Sequence, residues 1–195
     1  MKSFKEVEEH IEGKLKSKLP SDLYYHGLHH THDVLRSAEM IGKEEGIDAD
    51  DMLLLKVAVL YHDAGFTSVY KNHEEEGCEM VKADLPGFGF NAKEIEKICG
   101  MIMATKIPQN PQTQLERIIA DADLEYLGTD RFDEIGQTLY REMRIYVNLE
   151  SERQWNTIQM NFLKNHHYHT EFCRKYREPK KQENLKKILK SLEIH

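Results

Sequence analysis

The sequence predicts an all-α fold, a single compact bundle of about nine helices over residues 1–195. Three observations predict it. Apolar residues recur three and four positions apart in nearly every segment, the period-two alternation of strands is almost absent, and Pro and Gly residues cut the chain into helix-sized lengths. A chain of 195 residues with 39% apolar side chains can bury a substantial core.

From the amino terminus, Phe4, Val7, Ile11 and Leu15 form one stripe of an amphipathic helix that ends before Pro20, and Val34, Leu35, Ala38 and Ile41 form a second that ends before Gly46. The segment from about 51 to 64 is apolar nearly all round, with Lys56 the main exception, so it is expected to run through the core. Asn72 with Glu75, and Asn91 with Glu94, have the spacing of capping boxes and predict helices near 73–85 and 92–105, with a loop at 85–91 between them. Pro108 and Pro111 precede a helical stretch from Ile118 to Leu127, and Gly128 and Pro179 divide the remainder of the chain. The Lys-rich end, Lys180 to Lys190, reads as a solvated closing helix packed through Leu185, Ile188 and Leu192.

Composition excludes several classes of function. A formal net charge of -7 argues against a nucleic-acid polymer as partner, because phosphate-backbone binding needs concentrated Lys and Arg. No stretch has the roughly 20 apolar residues of a membrane helix, and the start, Met1 to Glu6, lacks the apolar core of a secretion signal, so no membrane partner and a cytoplasmic location are expected. Cys78, Cys99 and Cys173 are odd in number and far apart, with no Cys-x-x-Cys pair, and read as reduced thiols. A small anionic substrate remains open to a protein of this charge, since a metal ion or a few positive groups act at short range.

The chemistry-bearing residues fall in three places. At the end of the apolar helix stand His62 and Asp63, whose neighbours one turn back are Ala58, Val59 and Leu60. A buried carboxylate that is neither paired nor metal-bound costs several kcal/mol, so Asp63 needs a partner. The second place is the run from Tyr24 to Val34, with His26, His29, His30 and His32 at the start of an amphipathic helix. His30 is four residues before Val34 on the buried stripe, whereas His32 points about 160–200° away, which makes His32-Asp33 a surface pair. His26 precedes His30 by four residues and is read as orienting it or contacting substrate. The third place is Ile118 to Leu127, where Asp123 lies one turn from Ile119, Ala120, Tyr126 and Leu127. Asp121 lies near Arg117 and Glu125. On these neighbours Asp123 is the buried ligand and Asp121 an outer or solvated acid, with the choice between them left open. Two imidazoles and two carboxylates make a mixed site suited to one Mn, Fe, Co, Zn or Mg ion per chain, with positions left for water and substrate.

The order His, His-Asp, Asp on successive helices resembles the HD superfamily of metal-dependent phosphohydrolases. The closer likeness is to bacterial HD-domain hydrolases, carried by Tyr25, His26, His30 and Val34 in the opening segment and by Ala122-Asp123-Leu124 in the third. It covers about residues 20–150, with helices from 151–195 expected to pack on that core. The resemblance implies His30, His62, Asp63 and Asp123 as ligands of one divalent ion. Some members use a Glu three residues after the His-Asp pair for proton transfer; here that position is Phe66, which directs the role to His73 and Glu74. The other reading of both is as part of a helix start, the role expected of Glu75 and Glu76. Thr105 and Lys106 are the residues the resemblance turns toward substrate, and dipole complementation at a helix end is the other reading of Lys106. His166, His167 and His169, beside Arg174, Lys175 and Arg177, read as surface or as the rim of the substrate site.

The function implied is hydrolysis of a small phosphate ester, most directly a nucleotide or cyclic nucleotide, by a chain that is monomeric or a homodimer. Two alternatives stand beside it: an HD-fold di-iron oxygenase, for which only His73 is available as an extra imidazole between Asp63 and Asp123, and a non-catalytic nucleotide-binding or sensing module.

Overall fold

The structure, a computed structural model, describes residues 2–193. Its described residues form ten α-helices joined by short turns, with no strand. α1 (Phe4–Lys18) buries Val7, Ile11 and Leu15, and α2 (Leu28–Glu44) buries His30, Val34, Ala38 and Ile41. α3 (Ala49–Tyr61) is the central element: Leu55, Val57, Ala58 and Val59 are fully buried, and it packs on α1, α2, α5 and α6. An element apolar on every side can be stable only when it is covered on every side. α3 stops at Tyr61, so His62 and Asp63 stand in the turn beyond it, before a 3-10 turn at Ala64–Thr67.

α4 (His73–Asp84) packs on α5 (Ala92–Thr105), and α6 (Gln114–Asp123) lies between α2 and α5. The start of α4 is pressed against the turn after α3. A Cβ at Gly65 would come 2.0 Å from the His73 carbonyl oxygen, so only glycine lets the two backbones approach this closely. That approach is what carries His73 to Asp63, with Glu74 beside it.

The remaining helices are α7 (Phe132–Tyr146), α8 (Glu152–Asn165), α9 (Glu171–Tyr176) and α10 (Glu178–Glu193). α8 and α10 pack together, and α10 also covers a 3-10 turn at Glu125–Gly128 that comes after α6. They build a second apolar cluster around Leu127, Phe132, Leu163 and Leu185, separate from the main core around α3.

Three local expectations change. The capping box at Asn91 and Glu94 forms, but Asn72 adopts a left-handed φ of 58°, makes no capping bond, and accepts instead from Lys106 Nζ at 3.3 Å. The segment 85–91 contains a 3-10 turn at Leu85–Phe88 rather than an irregular loop. The closing helix is not simply solvated: Lys181 is 1% exposed, donating to the His166 carbonyl at 2.6 Å and pairing with Glu178 at 2.8 Å. Leu185 and Ile188 are buried on that face as expected. No helix among the described residues is long and apolar enough to cross a membrane.

Candidate metal centre and adjoining chamber

His30 from α2, His62 and Asp63 from the turn after α3, and Asp123 from the end of α6 converge on one point. One donor atom each from His30, His62 and Asp123 lie within 4.8 Å of one another. His30 Nε2 is 3.0 Å from Asp123 Oδ1 and 3.5 Å from Asp63 Oδ2, and His62 Nε2 is 3.2 Å from Asp63 Oδ2. His62 Nδ1 donates to the Val59 carbonyl at 2.7 Å. That bond fixes the tautomer and leaves Nε2 as the nitrogen with a lone pair directed at the cluster.

The donor set fits a divalent ion. Among the described residues, Nε2 of His62 and Oδ2 of Asp63 are buried without a hydrogen-bond partner, and buried polar atoms are rarely left in that state. With protons alone to balance the cluster, burial pushes both carboxyls up, but the imidazoles outweigh it: Asp123 is held down to about 2 by His30 and His62, and Asp63 lies well below its ordinary value beside His62. Burial works against the charged form of His62 too, yet the carboxylates of Asp63 and Asp123 raise it well above the usual imidazole value. A cation at the centre satisfies the same carboxylates and requires the imidazoles neutral.

The expectation for Asp121 is corrected. It is the more deeply buried of the two acids, fully enclosed, while the side chain of Asp123 is 15% exposed. Asp121 faces away from the imidazoles and accepts from the backbone N–H groups of His169 and Thr170 at 2.9 and 2.8 Å and from the Thr170 hydroxyl at 2.6 Å. It is the anchor for the start of α9. The neighbours of Asp121 in sequence hid this, because its partners lie 48 and 49 residues further along.

His73 reaches the cluster, and Glu74 reaches His73. His73 Nε2 is 3.5 Å from Asp63 Oδ1 and 3.6 Å from Glu74 Oε1, and burial lowers the pKa of the imidazole. Phe66 stands between His73 and His26, with ring centroids 3.9 Å and 4.3 Å away, so the ring that replaces an acid here acts as a spacer between two imidazoles. His26 lies in the turn before α2 rather than one helical turn before His30, and its Nδ1 meets Glu142. Burial opposes the imidazolium, but the hydrogen bond to Glu142 raises the pKa above the ordinary value.

Glu142, on α7, was not singled out from the sequence. It is fully buried and accepts from the backbone N–H groups of Tyr25 and His26 at 2.9 and 3.1 Å in addition to the imidazole. A signal was available: Glu142 is three residues after Leu139 and seven after Ile135, on the inward stripe of an amphipathic helix where a carboxylate has no structural reason to sit without a partner.

The Lys106 ammonium pairs with Glu75 and lines a groove with Met103 and Pro108, whereas Thr105 lines the cluster's own cavity and donates its hydroxyl to the Ile102 carbonyl at 2.8 Å. Of the late histidines, His166 is buried rather than superficial. Burial, with Lys181 3.3 Å from its Nδ1, pushes its pKa down to about 3.

A chamber of about 260 Å³ opens from the cluster. Asp63, His73, Glu74 and Asp123 stand at one end of it; Phe132, Leu139, Met143, Trp155, Phe162 and Leu163, from α7 and α8, form the walls. On the other side of Asp123 and Tyr126 is a hollow of about 300 Å³ bearing Arg36, Arg131 and Arg177, and all three are engaged with acids: Arg36 with Asp33, Arg131 with Asp33 and Glu134, and Arg177 with Glu125.

Fold and cluster together define a helical bundle with a mixed nitrogen and oxygen donor cluster, a candidate metal site, contributed by α2, the turn after α3 and the end of α6. The profile of the HD domain matches residues 27–125, about half of the chain and all four converging residues, and the chain belongs to the HD-domain family. An uncharacterized protein of Clostridium beijerinckii is 36% identical over 76 residues, which are 37% of this chain and 48% of that protein. The chain thus matches over about half the length of this curated relative. The crystal structure of a predicted HD superfamily hydrolase from an uncultured Thermotogales bacterium is similar with a TM-score of 0.63 at 20% identity, covering 96% of this chain and 90% of that one. That likeness concerns the fold.

Proposed function

We propose that this protein is a metal-dependent phosphohydrolase acting on a small phosphate ester, with one divalent ion held by His30, His62, Asp63 and Asp123. The observation that carries the reading is the convergence of these four side chains with two of their buried atoms, His62 Nε2 and Asp63 Oδ2, unpartnered among the described residues. An ion held there would lower the pKa of a water and polarise a phosphoryl oxygen. In the reaction the water oxygen bonds to phosphorus, the bond from phosphorus to the ester oxygen breaks, and the proton lost by the water is made good on the departing alkoxide.

The chain's own groups divide that work. His73 and Glu74, beside Asp63, are the acid and base candidates, and the lowered pKa of His73 keeps its imidazole available to accept a proton near neutrality. His26, whose pKa the hydrogen bond to Glu142 raises against burial, is favoured in its charged form beside the chamber, the role that Lys106 was expected to fill. Thr105 borders the substrate space.

Nucleotides and cyclic nucleotides are the substrates that the family resemblance implies, and Phe132, Trp155 and Phe162 offer ring faces for a base. The oxygenase alternative needs further ligands between Asp63 and Asp123, where His73 alone offers an imidazole, and among the described residues one three-donor group, His30, His62 and Asp123, comes together.

The test is phosphate release from a panel of monoesters, diesters and nucleotides after loading with Mn, Co, Zn or Mg in turn. Metal-dependent release that disappears in Asp63→Ala supports the reading. No release with any metal and any ester, from protein with a normal melting transition, overturns it.

A further inference from the structure

The chamber beside the metal cluster has a lining that is uneven in a way that bears on substrate. Its reacting end carries carboxylates and imidazoles, while the part built by α7 and α8 is hydrocarbon and aromatic apart from Gln159. Among the described residues, no lysine or arginine lines it. Away from the cluster the one amide among them is Gln159, and its side-chain nitrogen is already engaged, donating to Asn156 Oδ1 at 3.1 Å. Arg36, Arg131 and Arg177 line the adjoining hollow, which shares Tyr25, Asp123 and Tyr126 with the chamber and also takes in His30, and all three are paired with acids there.

Such a lining selects by what it cannot satisfy. A second phosphate, or the hydroxyls of a sugar, would lose water on entering and find almost no donor or cation in exchange. A hydrocarbon or aryl group would exchange water for apolar contact. The space is sufficient for one, since an apolar cavity of about 150 Å³ already accepts benzene, and this chamber measures about 260 Å³. Its lip is apolar as well, formed in part by Ile107 and Ile158, which are 53% and 38% exposed. Large exposed apolar side chains bordering a cavity are a feature of ligand entrances.

From the wall of α7 and α8, apolar but for Gln159, facing the charged end of one chamber, we infer that the substrate is a phosphate ester with a single charged end, whose organic group is uncharged and predominantly apolar. That group, alkyl or aryl, occupies the space bounded by Phe132, Leu139, Met143, Trp155 and Phe162, with the phosphate at the metal cluster. The inference rests on the phosphohydrolase reading and narrows it: hydrocarbon esters are taken ahead of nucleoside polyphosphates and sugar phosphates.

Trp155 is the sole tryptophan of the chain, so its emission reports on the chamber without any need for turnover. The metal-loaded full-length protein is titrated with ethyl-, butyl- and hexylphosphonate, which cannot be hydrolysed, and with ribose 5-phosphate and ATP. The expected result is a saturable change in Trp155 emission whose dissociation constant falls roughly fourfold per added methylene, with ribose 5-phosphate and ATP at least tenfold weaker than hexylphosphonate. The variant Ile158→Lys, at a partly exposed position, is expected to abolish most of the chain-length dependence; Met143→Gln is a second variant should the first fold poorly. Equal affinity along the alkyl series, or tighter binding of ATP or ribose 5-phosphate than of hexylphosphonate, overturns the inference. The two readings fail differently. Chain-length-dependent binding with no hydrolysis of the matching alkyl phosphates would overturn the phosphohydrolase reading while leaving the chamber assignment. Hydrolysis indifferent to the organic group would do the reverse.

Discussion

The chain carries the His-Asp dipeptide twice, at 32–33 within α2 and at 62–63 after α3, and the two differ in almost everything but sequence. His32 has a side chain 40% exposed and bonds Glu12 at 2.7 Å, and Asp33 forms ion pairs with Arg36 and Arg131. Each of these side chains has a partner and is partly exposed. His62 and Asp63 have side chains 1% and 11% exposed, and each keeps one buried atom without a hydrogen bond. A dipeptide becomes a metal site through surroundings that remove water and bring further donors. Here those surroundings are the apolar end of α3, His30 and Asp123.

Substitution at matched positions breaks this comparison most severely. His62→Gln is expected to reduce metal-dependent phosphate release by at least about a hundredfold through loss of a ligand, and His32→Gln to change it less than about twofold. Similar losses in both, measured under saturating metal, would mean that burial does not distinguish the pairs.

The next effect concerns the charge beside the cluster. Glu142→Gln removes the carboxylate that holds the His26 imidazolium, and phosphate release at neutral pH is expected to fall on the order of tenfold to a hundredfold. Two opposed shifts set the pH dependence of stability. Glu142 lies below its ordinary 4.5, burial opposing and the His26 hydrogen bond prevailing, so its stabilisation is present above that value and is lost as pH falls through the folded pKa. His26 lies above its ordinary 6.5, so its share is present below 6.5 and is lost as pH rises through its folded pKa. The stability difference between wild type and Glu142→Gln should therefore peak between 4.5 and 6.5 and shrink on either side. A difference in urea midpoints that stays flat from well below 4.5 to well above 6.5 would mean that the two groups do not hold each other charged.

Binding of the ion also sharpens the comparison as a stability difference. Metal at a hundredfold excess over its dissociation constant stabilises the native state by about 2.7 kcal/mol, roughly 5–10 °C in melting temperature for a chain of this size. Asp33→Ala should retain that increment and Asp63→Ala should lose it. The smallest effect is expected from Lys106→Ala. Its ammonium is paired with Glu75 on the surface, outside the chamber, so turnover should stay within about twofold of wild type. A tenfold loss would return Lys106 to the substrate site.

Legibility from sequence tracked the range of the interactions. α3 could be read because a helix apolar all round is a local pattern, and the inward aim of His30 because Val34 sits one turn away. Asp121 and Asp123 were weighed by their local neighbours, which pointed to Asp123 as buried; the facing direction agrees with the cluster, yet Asp121 is the deeper acid because Thr170 and the backbone before α9 close over it. Lys106 was drawn toward substrate by resemblance, whereas its actual partner is Glu75, on the neighbouring α4. The chamber was illegible for the same reason. Leu139, Met143, Trp155 and Phe162 read as ordinary apolar stripes of two helices, and only the packing of α7 and α8 beside the cluster turns those stripes into a wall.

The most direct measurement is metal content by plasma mass spectrometry on wild type, Asp63→Ala and Asp33→Ala prepared in parallel. About one divalent ion per chain is predicted in wild type and in Asp33→Ala, and close to none in Asp63→Ala. An equal metal content in all three, or loss in Asp33→Ala instead, would contradict a metal centre built on the buried pair.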